Sequence, residues 1–492
     1  MFKFFFKYSF GIACSRVLGL IRDILMINIL GSTIWLDIFL ASFRIPNLYR
    51  SIFAEGAMNS IFAPMFNKYD TEKSSIEFAN KIFTLFFIMI GIFCLIFIIF
   101  MPFILKYIFI GFDDYKLIKT IFFAKIMFFY LFFISLTTII LSILQSRKMF
   151  GISGLIMLAL NISLITALLI NNNSHENTVL YLSYGVIIAG FVQLIITLII
   201  AYKNNIKIKL TKLSFKDKAI KEFLKKLLPT IINSGVIQLN IIVDTIFASH
   251  TNMAITYLYY ADRLIQLPLA IIGISLNTII IPLISQENKI KNKNKNENKN
   301  FSIELKAINI AMLLGLPAAV GLYCLSEEII SVIFAHSTAE MIINISKILK
   351  IFALVLPSYI LYKIWIGILY ANHKHKIPLI SSCLCITLNI ILNFLFIQHS
   401  YLGIAYATVI SSWLNTICLL LYIMHTGFLK LNINLLFNFI KIIIALLGMV
   451  IFIFLIKQYT ATNAIIKLLI SIGGSIIIYF TIIFLLKYKK KY

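Results

Sequence analysis

Arginine is the scarce cation of this chain: of 44 basic residues only six are arginine and 38 are lysine. Acidic residues are scarce too, 19 in 492 positions, and the net charge is +25. Polar stretches that could build a soluble domain are missing, since 61% of the residues are hydrophobic and 13% charged, with a mean hydropathy of +0.96. That balance excludes the soluble classes. None of the twenty glycines precedes a lysine, which excludes a Walker-type phosphate loop and an ATPase module in this chain. Seven histidines supply no His-Glu-x-x-His, and His373 and His375 merely flank a lysine in a basic connection. The six cysteines (Cys14, Cys94, Cys324, Cys383, Cys385, Cys418) form no Cys-x-x-Cys pair and read as small apolar side chains. Lysines spread over many short connections, instead of gathering on one domain, argue against nucleic acid as a partner.

What is present is a series of apolar runs long enough to cross a bilayer. At about twenty residues per span the chain yields fourteen, near 9–30, 36–63, 82–110, 120–145, 152–170, 179–202, 227–249, 255–284, 305–325, 341–371, 378–397, 402–425, 434–457 and 463–487. The expected class is an all-α polytopic membrane protein. Positive charge crowds the connections after even-numbered spans and both termini, for example Lys203 to Lys226 and Lys487 to Lys491, so both ends are expected on the cytoplasmic side. Met1 to Phe10 runs into the first span without a small-residue cleavage site. The Lys/Asn tract from Lys289 to Asn300 reads as a low-complexity linker.

A repeat supports the count. Asn59-Ser60-Ile61-Phe62-Ala63-Pro64 in span 2 returns 218 residues later as Asn277-Thr278-Ile279-Ile280-Ile281-Pro282 in span 8, with a weaker echo between Asn161 of span 5 and Asn389 of span 11. Six spans separate the copies, an even number that preserves orientation, so the repeat is parallel. The expected organisation is a six-span lobe over 1–203, a basic connection over 204–226, a second six-span lobe over 227–426, and two extra spans with a basic tail over 427–492. The last two spans offer an apolar flank to lipid.

Five of the six arginines, Arg16, Arg22, Arg44, Arg50 and Arg263, fall within spans. Facing lipid they would cost on the order of 12–18 kcal/mol together, so they are expected to line a protected, wet interior. On span 1, Arg16 and Asp23 share a face, with Arg22 about 120° away. On span 2 the same seven-residue spacing joins Asp37 to Arg44, and Pro46 predicts a kink between Arg44 and Arg50. Glu55 and Asn59 continue the polar character. On span 7, Asn233, Asn240 and Asp244 share a face; on span 8, Tyr259, Arg263 and Gln266 form a stripe with Asp262 beside it. Asp23, Asp37 and Asp262 also read as counter-ions, the asparagines as interhelical hydrogen-bond partners, and Arg44 equally as an interfacial residue. Surplus guanidinium in a membrane interior calls for an anion, and arginine favours an oxyanion gripped by parallel hydrogen bonds: a carboxylate, phosphate or diphosphate. Joined to a long hydrocarbon tail, that anion becomes a lipid-linked diphosphate.

Four motifs carry a resemblance. Ser15-Arg16-Val17-Leu18-Gly19 with Arg22-Asp23, Phe43-Arg44-Ile45-Pro46-Asn47-Leu48 with Arg50, Phe53-Ala54-Glu55-Gly56-Ala57, and Tyr259-Tyr260-Ala261-Asp262-Arg263-Leu264 with Pro268 resemble the MurJ/MviN family of lipid II flippases, within the multidrug/oligosaccharidyl-lipid/polysaccharide exporter superfamily. The resemblance implies translocation of the undecaprenyl-diphosphate-linked peptidoglycan precursor across the bacterial inner membrane, transport and not catalysis; division or elongation machinery is a candidate partner that the sequence does not decide. By motif, Arg16, Arg22, Arg50 and Arg263 match the family's substrate-binding arginines, and Asp37, Asn47 and Glu55 match other cavity positions. Gln266 stands where the family often has Glu, and Ser51 where a second basic residue is common. No cofactor is expected; without ATP the energy would come from the membrane potential or from Na⁺, for which Asp244 with Asn240, and Asn389 with Asn393, are candidate ligands. A cation-coupled drug exporter of the same superfamily, another lipid-linked oligosaccharide exporter and a membrane enzyme acting on polyprenyl diphosphates are the rivals; the last would need an acidic Mg²⁺ cluster that the scattered Asp and Glu do not supply.

Overall fold

The computed structural model describes the backbone of the chain except residues 1, 54–60, 63–64, 67–71, 148, 150–151, 153–154, 171–173, 215–216, 278–279, 282, 285–300, 336, 373, 375, 399, 431, 459–462 and 487–492, and it describes no side chains at 2–13, 72, 232–234, 236–237, 274 and 302. Glu55, Asn59, Asn233, the Lys/Asn tract and the terminal lysines therefore lie outside the described residues or side chains. Among the described residues there is no strand.

The chain divides into two compact units, Met1–Thr256 and Tyr257–Tyr492. In the first, the helices are α1 (Phe2–Leu30), α2 (Ile34–Arg50), α3 (Glu72–Ile108), α4 (Asp114–Phe128), α5 (Tyr130–Ser146), α6 (Leu158–Leu169), α7 (His175–Lys203) and α8 (Lys218–Ala248), and α9 (Ala254–Pro268) begins at its end. In the second, a π-helical segment (Leu269–Ile274) continues α9, followed by α10 (Ser302–Cys324), α11 (Ser326–Ile333), α12 (Ala339–Ala353), α13 (Leu356–Ala371), α14 (Lys376–Phe396), α15 (Leu402–His425), α16 (Ile433–Gln458) and α17 (Ala464–Leu485).

Starts and stops follow local chemistry. Asp113, Ser174, Asp217, Thr338 and Asn463 each accept a backbone N–H of the first turn of the helix that follows, supplying an acceptor for donors the helix cannot satisfy itself. Gly31 ends α1 and Gly427 ends α15 at φ +61° and +69°, the left-handed conformation that a residue with a Cβ rarely adopts. Arg147, the one arginine outside the spans, donates to the Asn204 carbonyl at the end of α7 at 2.9 Å. Beyond it, an extended strap is stitched to α3: Lys209 N donates to Asn80 Oδ1 and Thr211 N to Thr84 Oγ1, both at 2.9 Å.

Among the described residues eight helical segments are long and apolar enough to cross a membrane, nine if the bent pair α12 and α13 is one broken span. The expected span 4 is one of these, Asp114–Ser146, running through α4 and α5. The expected span 10 is the bent pair, whose halves differ in direction by 42°. Span 5 is represented by α6, whose 12 residues are short for a crossing. Outward faces of α3, α16 and α17 carry exposed side chains such as Ile99, Phe103, Leu447, Phe454 and Phe484, as lipid contact requires. In the second unit, α16 and α17 pack as a pair whose inner face (Ile442, Ala445, Met449, Ile453, Leu468, Tyr479, Ile483) forms one cluster with Leu325.

Candidate functional site

Arg22 and Asp23 on α1 expose 2% and 3% of their surface. Nε and Nη2 of Arg22 donate to Asp23 Oδ1 at 3.0 and 2.5 Å, and Nη1 donates to Asn161 Oδ1 of α6 at 3.1 Å. Asn161 donates in turn to the carbonyl and hydroxyl of Ser15, at 2.9 and 3.3 Å. One amide thus orients a guanidinium and pins α6 to α1. Helical spacing puts Asp23 on the face of Arg16, and the long stem of Arg22 carries its guanidinium to Asp23 across the roughly 100° between neighbouring positions. Arg16 is half-buried.

Asp37 is fully buried, and its partner is not Arg44. Oδ2 accepts from Lys116 Nζ of α4 at 2.5 Å, while Oδ1 accepts from the backbone N–H and hydroxyl of Thr256 at 3.1 and 2.8 Å. Lys116 also lies 3.9 Å above the ring of Phe112, a second source of stabilisation for its charge. Asp37 is therefore a junction of α2, α4 and the first turn of α9, and Arg44 is half-buried about two turns further along α2. Nearby, Gly111 donates its N–H to Ser249 Oγ at 3.1 Å, and a Cβ at Gly111 would stand 2.4 Å from the His250 Cα. Helical spacing alone does not single out Lys116; the signal the sequence holds is its place at the head of an apolar run, after Asp113 and Asp114.

Arg50 ends α2, with Nε and Nη2 both on Asn47 Oδ1 at 3.1 and 3.0 Å. The backbone is assigned α-helical through Pro46 and passes into a π turn at 51–53. Tyr49 anchors this end in a cluster with Phe93, Phe97 and Phe128, at centroid distances of 5.5, 4.8 and 5.6 Å. In the second unit, Arg263 of α9 is held by Tyr259: Nε and Nη2 meet the phenol oxygen at 3.1 and 2.8 Å, with the guanidinium carbon 5.0 Å from the ring centre. Asp262 accepts from Gln266 at 2.5 Å. Here too a π segment follows, after Pro268, and its first residue lies 218 residues beyond Ser51. The offset of the sequence repeat thus recurs as backbone geometry. Asparagine and tyrosine orient the two guanidinium groups through neutral oxygens, contacts that add direction without cancelling charge.

Asn240 and Asp244 are half-buried one turn apart on α8, and the Asn240 amide oxygen is buried without a hydrogen-bond donor among the described residues. Asn389 and Asn393 of α14 are fully buried and bonded to each other, Asn393 Nδ2 donating to Asn389 Oδ1 at 2.9 Å. Among the described residues no group of three His, Cys, Asp or Glu side chains is placed to hold a metal. A surface cleft beside Leu198, Tyr202 and Lys207 contains none of the candidate site residues.

A family model, that of the lipid II flippase MurJ, matches residues 26–473. The chain belongs to the MurJ family. A probable lipid II flippase MurJ of Rickettsia prowazekii (strain Madrid E) is 34% identical to this family member over 406 residues, covering 81% of the chain and 79% of the relative. A solved structure of a lipid II flippase MurJ in an inward closed conformation is 26% identical with a TM-score of 0.80, over 96% of this MurJ family chain and 97% of the other. An inward-facing multidrug resistance MATE family transporter of the MOP superfamily, 16% identical with a TM-score of 0.66 over 83% and 93% of the two chains, shares the fold alone.

Proposed function

We propose that this protein is a lipid II flippase that carries the undecaprenyl-diphosphate-linked peptidoglycan precursor from the cytoplasmic to the periplasmic leaflet of the inner membrane. The family match across 26–473 carries the reading. The oriented guanidinium groups of Arg22, Arg50 and Arg263 supply chemistry suited to it, because parallel N–H donors recognise phosphate oxygens. In this reading Arg16, Arg22, Arg50 and Arg263 grip the diphosphate, Asn161, Asn47 and Tyr259 hold three of those groups in position, and the hydrocarbon tail lies along α16 and α17. The lobes 1–203 and 227–426 rock about the bound headgroup, joined by 204–226. The substrate leaves chemically unchanged.

With no nucleotide loop, the step draws on the membrane potential or a Na⁺ gradient; one elementary charge moved across 100 mV is worth about 2.3 kcal/mol. The donor-less Asn240 oxygen one turn from Asp244 supports a cation there, whereas the Asn389–Asn393 bond engages one amide with the other. Replacing Na⁺ by choline during transport tests the point: a drop in wild type that Asp244→Asn removes is the expected result, and equal activity throughout refutes it.

The deciding experiment exposes cells depleted of the protein to an external enzyme that degrades the lipid-linked precursor. Protection of the precursor on depletion, relieved by the wild-type gene and not by Arg22→Ala, is expected. Precursor that stays accessible under depletion refutes the flippase reading.

A further inference from the structure

Lys363 stands alone in the middle of an apolar helix. It belongs to α13, Leu356–Ala371, the second half of the broken span, within Tyr359-Ile360-Leu361-Tyr362-Lys363-Ile364-Trp365. It is largely enclosed, and among the described residues no carboxylate pairs with it, although Lys350 and Lys457 in the same unit bind Glu327 and Glu328 at 2.6 and 2.7 Å. A cation in a span is costly, and its retention without a counter-ion marks a place where an anion arrives.

Its position relative to Arg263 follows from packing within the second unit. Ile360, Lys363 and Gly367 fall within a sector of about 60° of the α13 surface. Both flanking members of that stripe touch the continuation of α9: a Cβ on Gly273 would stand 3.4 Å from Ile360 Cα, and a Cβ on Gly367 would stand 2.7 Å from Asn277 Oδ1. Lys363 therefore lies on the side of α13 facing the chain that leads away from Arg263, at the level between Gly273 and Asn277. Ten to fourteen residues of helix separate that level from Arg263, on the order of 15–20 Å at 1.5 Å per residue.

That separation excludes a shared diphosphate, which is far shorter. It matches a headgroup whose diphosphate is at Arg263 while a second anionic group reaches the level of Lys363. We infer that Lys363 is a subsite for a carboxylate of the peptide carried by the lipid-linked substrate, so that Arg263 and Lys363 read two different anions on one molecule. Lysine suits this task, since a compact ammonium on a flexible stem follows a mobile peptide end better than a planar fork does. The subsite rests on the flippase reading and adds recognition of the peptide to that of the diphosphate.

The full chain in nanodiscs is titrated with three ligands: undecaprenyl diphosphate, the complete disaccharide-pentapeptide lipid, and the same lipid with its peptide carboxylates amidated. Lys363→Gln is expected to weaken the complete lipid about tenfold or more, to leave undecaprenyl diphosphate unaffected, and to bind the amidated lipid as wild type does. Lys363→Arg keeps the wild-type preference and controls for folding. Equal weakening of all three ligands, or of none, overturns the subsite. Arg263→Ala weakens all three; its failure to affect undecaprenyl diphosphate would count against the flippase reading itself.

Discussion

The hydroxyl of Tyr479 on α17 donates to the backbone carbonyl of Leu313 on α10 at 2.8 Å. Leu313 lies four residues before Pro317, so this carbonyl is the one that proline leaves without a helical donor. A side chain from one of the two extra helices thus repairs the hydrogen-bond ladder of its neighbour, where no water is at hand. Tyr479→Phe is expected to destabilise the protein by about 1–3 kcal/mol, read as a lowered midpoint in detergent thermal unfolding. Pro317→Ala restores the backbone donor, and in that background the same change should cost much less.

The Asp37 and Lys116 pair predicts an asymmetry. Either Asp37→Asn or Lys116→Met alone leaves one buried charge, at a cost of about 3–5 kcal/mol. The double variant removes both charges and should recover most of the loss. A double-mutant cycle on thermal stability measures the coupling, and additive effects would show that the two residues act independently.

Asn161 should behave as a positioning residue. Asn161→Leu leaves Arg22 with Asp23 and removes the bond that directs its third nitrogen, so precursor translocation is expected to fall severalfold while thermal stability drops by about 1–2 kcal/mol. Arg22→Lys supplies charge without the fork and should fail to restore transport.

Gly111 admits no side chain, because the atoms a Cβ would meet, within 2.4–2.5 Å, are backbone atoms of Ser249 and His250. Gly111→Ala must separate the two turns, at a cost of about 1–3 kcal/mol. Faster cysteine labelling at position 250 in the His250→Cys background reports the separation.

Acid should weaken the tie between the start of α8 and α3. The Lys81 ammonium, 2.9 Å away, and the Ala219 N–H hold the Asp217 carboxyl below its ordinary value of 3.8. Because the folded-state value is depressed, the stabilisation is complete above the unfolded value and is lost as pH falls through the folded one. The unfolding midpoint should therefore drop on going from pH 5 toward pH 3, and Asp217→Asn should flatten that part of the curve.

Much of this architecture was readable because membrane solvation constrains sequence severely: apolar length marks spans, and charge marks their ends. The repeat at Asn59 and Asn277 was readable too, and the two π turns keep its offset. Partners were less readable. Asp37 looked paired with Arg44 by helical spacing, while its cation comes from Lys116, 79 residues along the chain. Spacing reports which residues share a face of one helix, and a buried ion pair is chosen by which faces of different helices meet.

The linear order of residues alone determined that this is a helical membrane protein with guanidinium groups inside its spans, since each of those features is a local property of composition and period. Tertiary packing decided that Asp23 and Asn161 orient Arg22, that Tyr259 orients Arg263, and that Lys363 keeps no counter-ion among the described residues. Buried charges take their partners from whichever groups packing brings within 3 Å or so, and that proximity is absent from the chain until it folds.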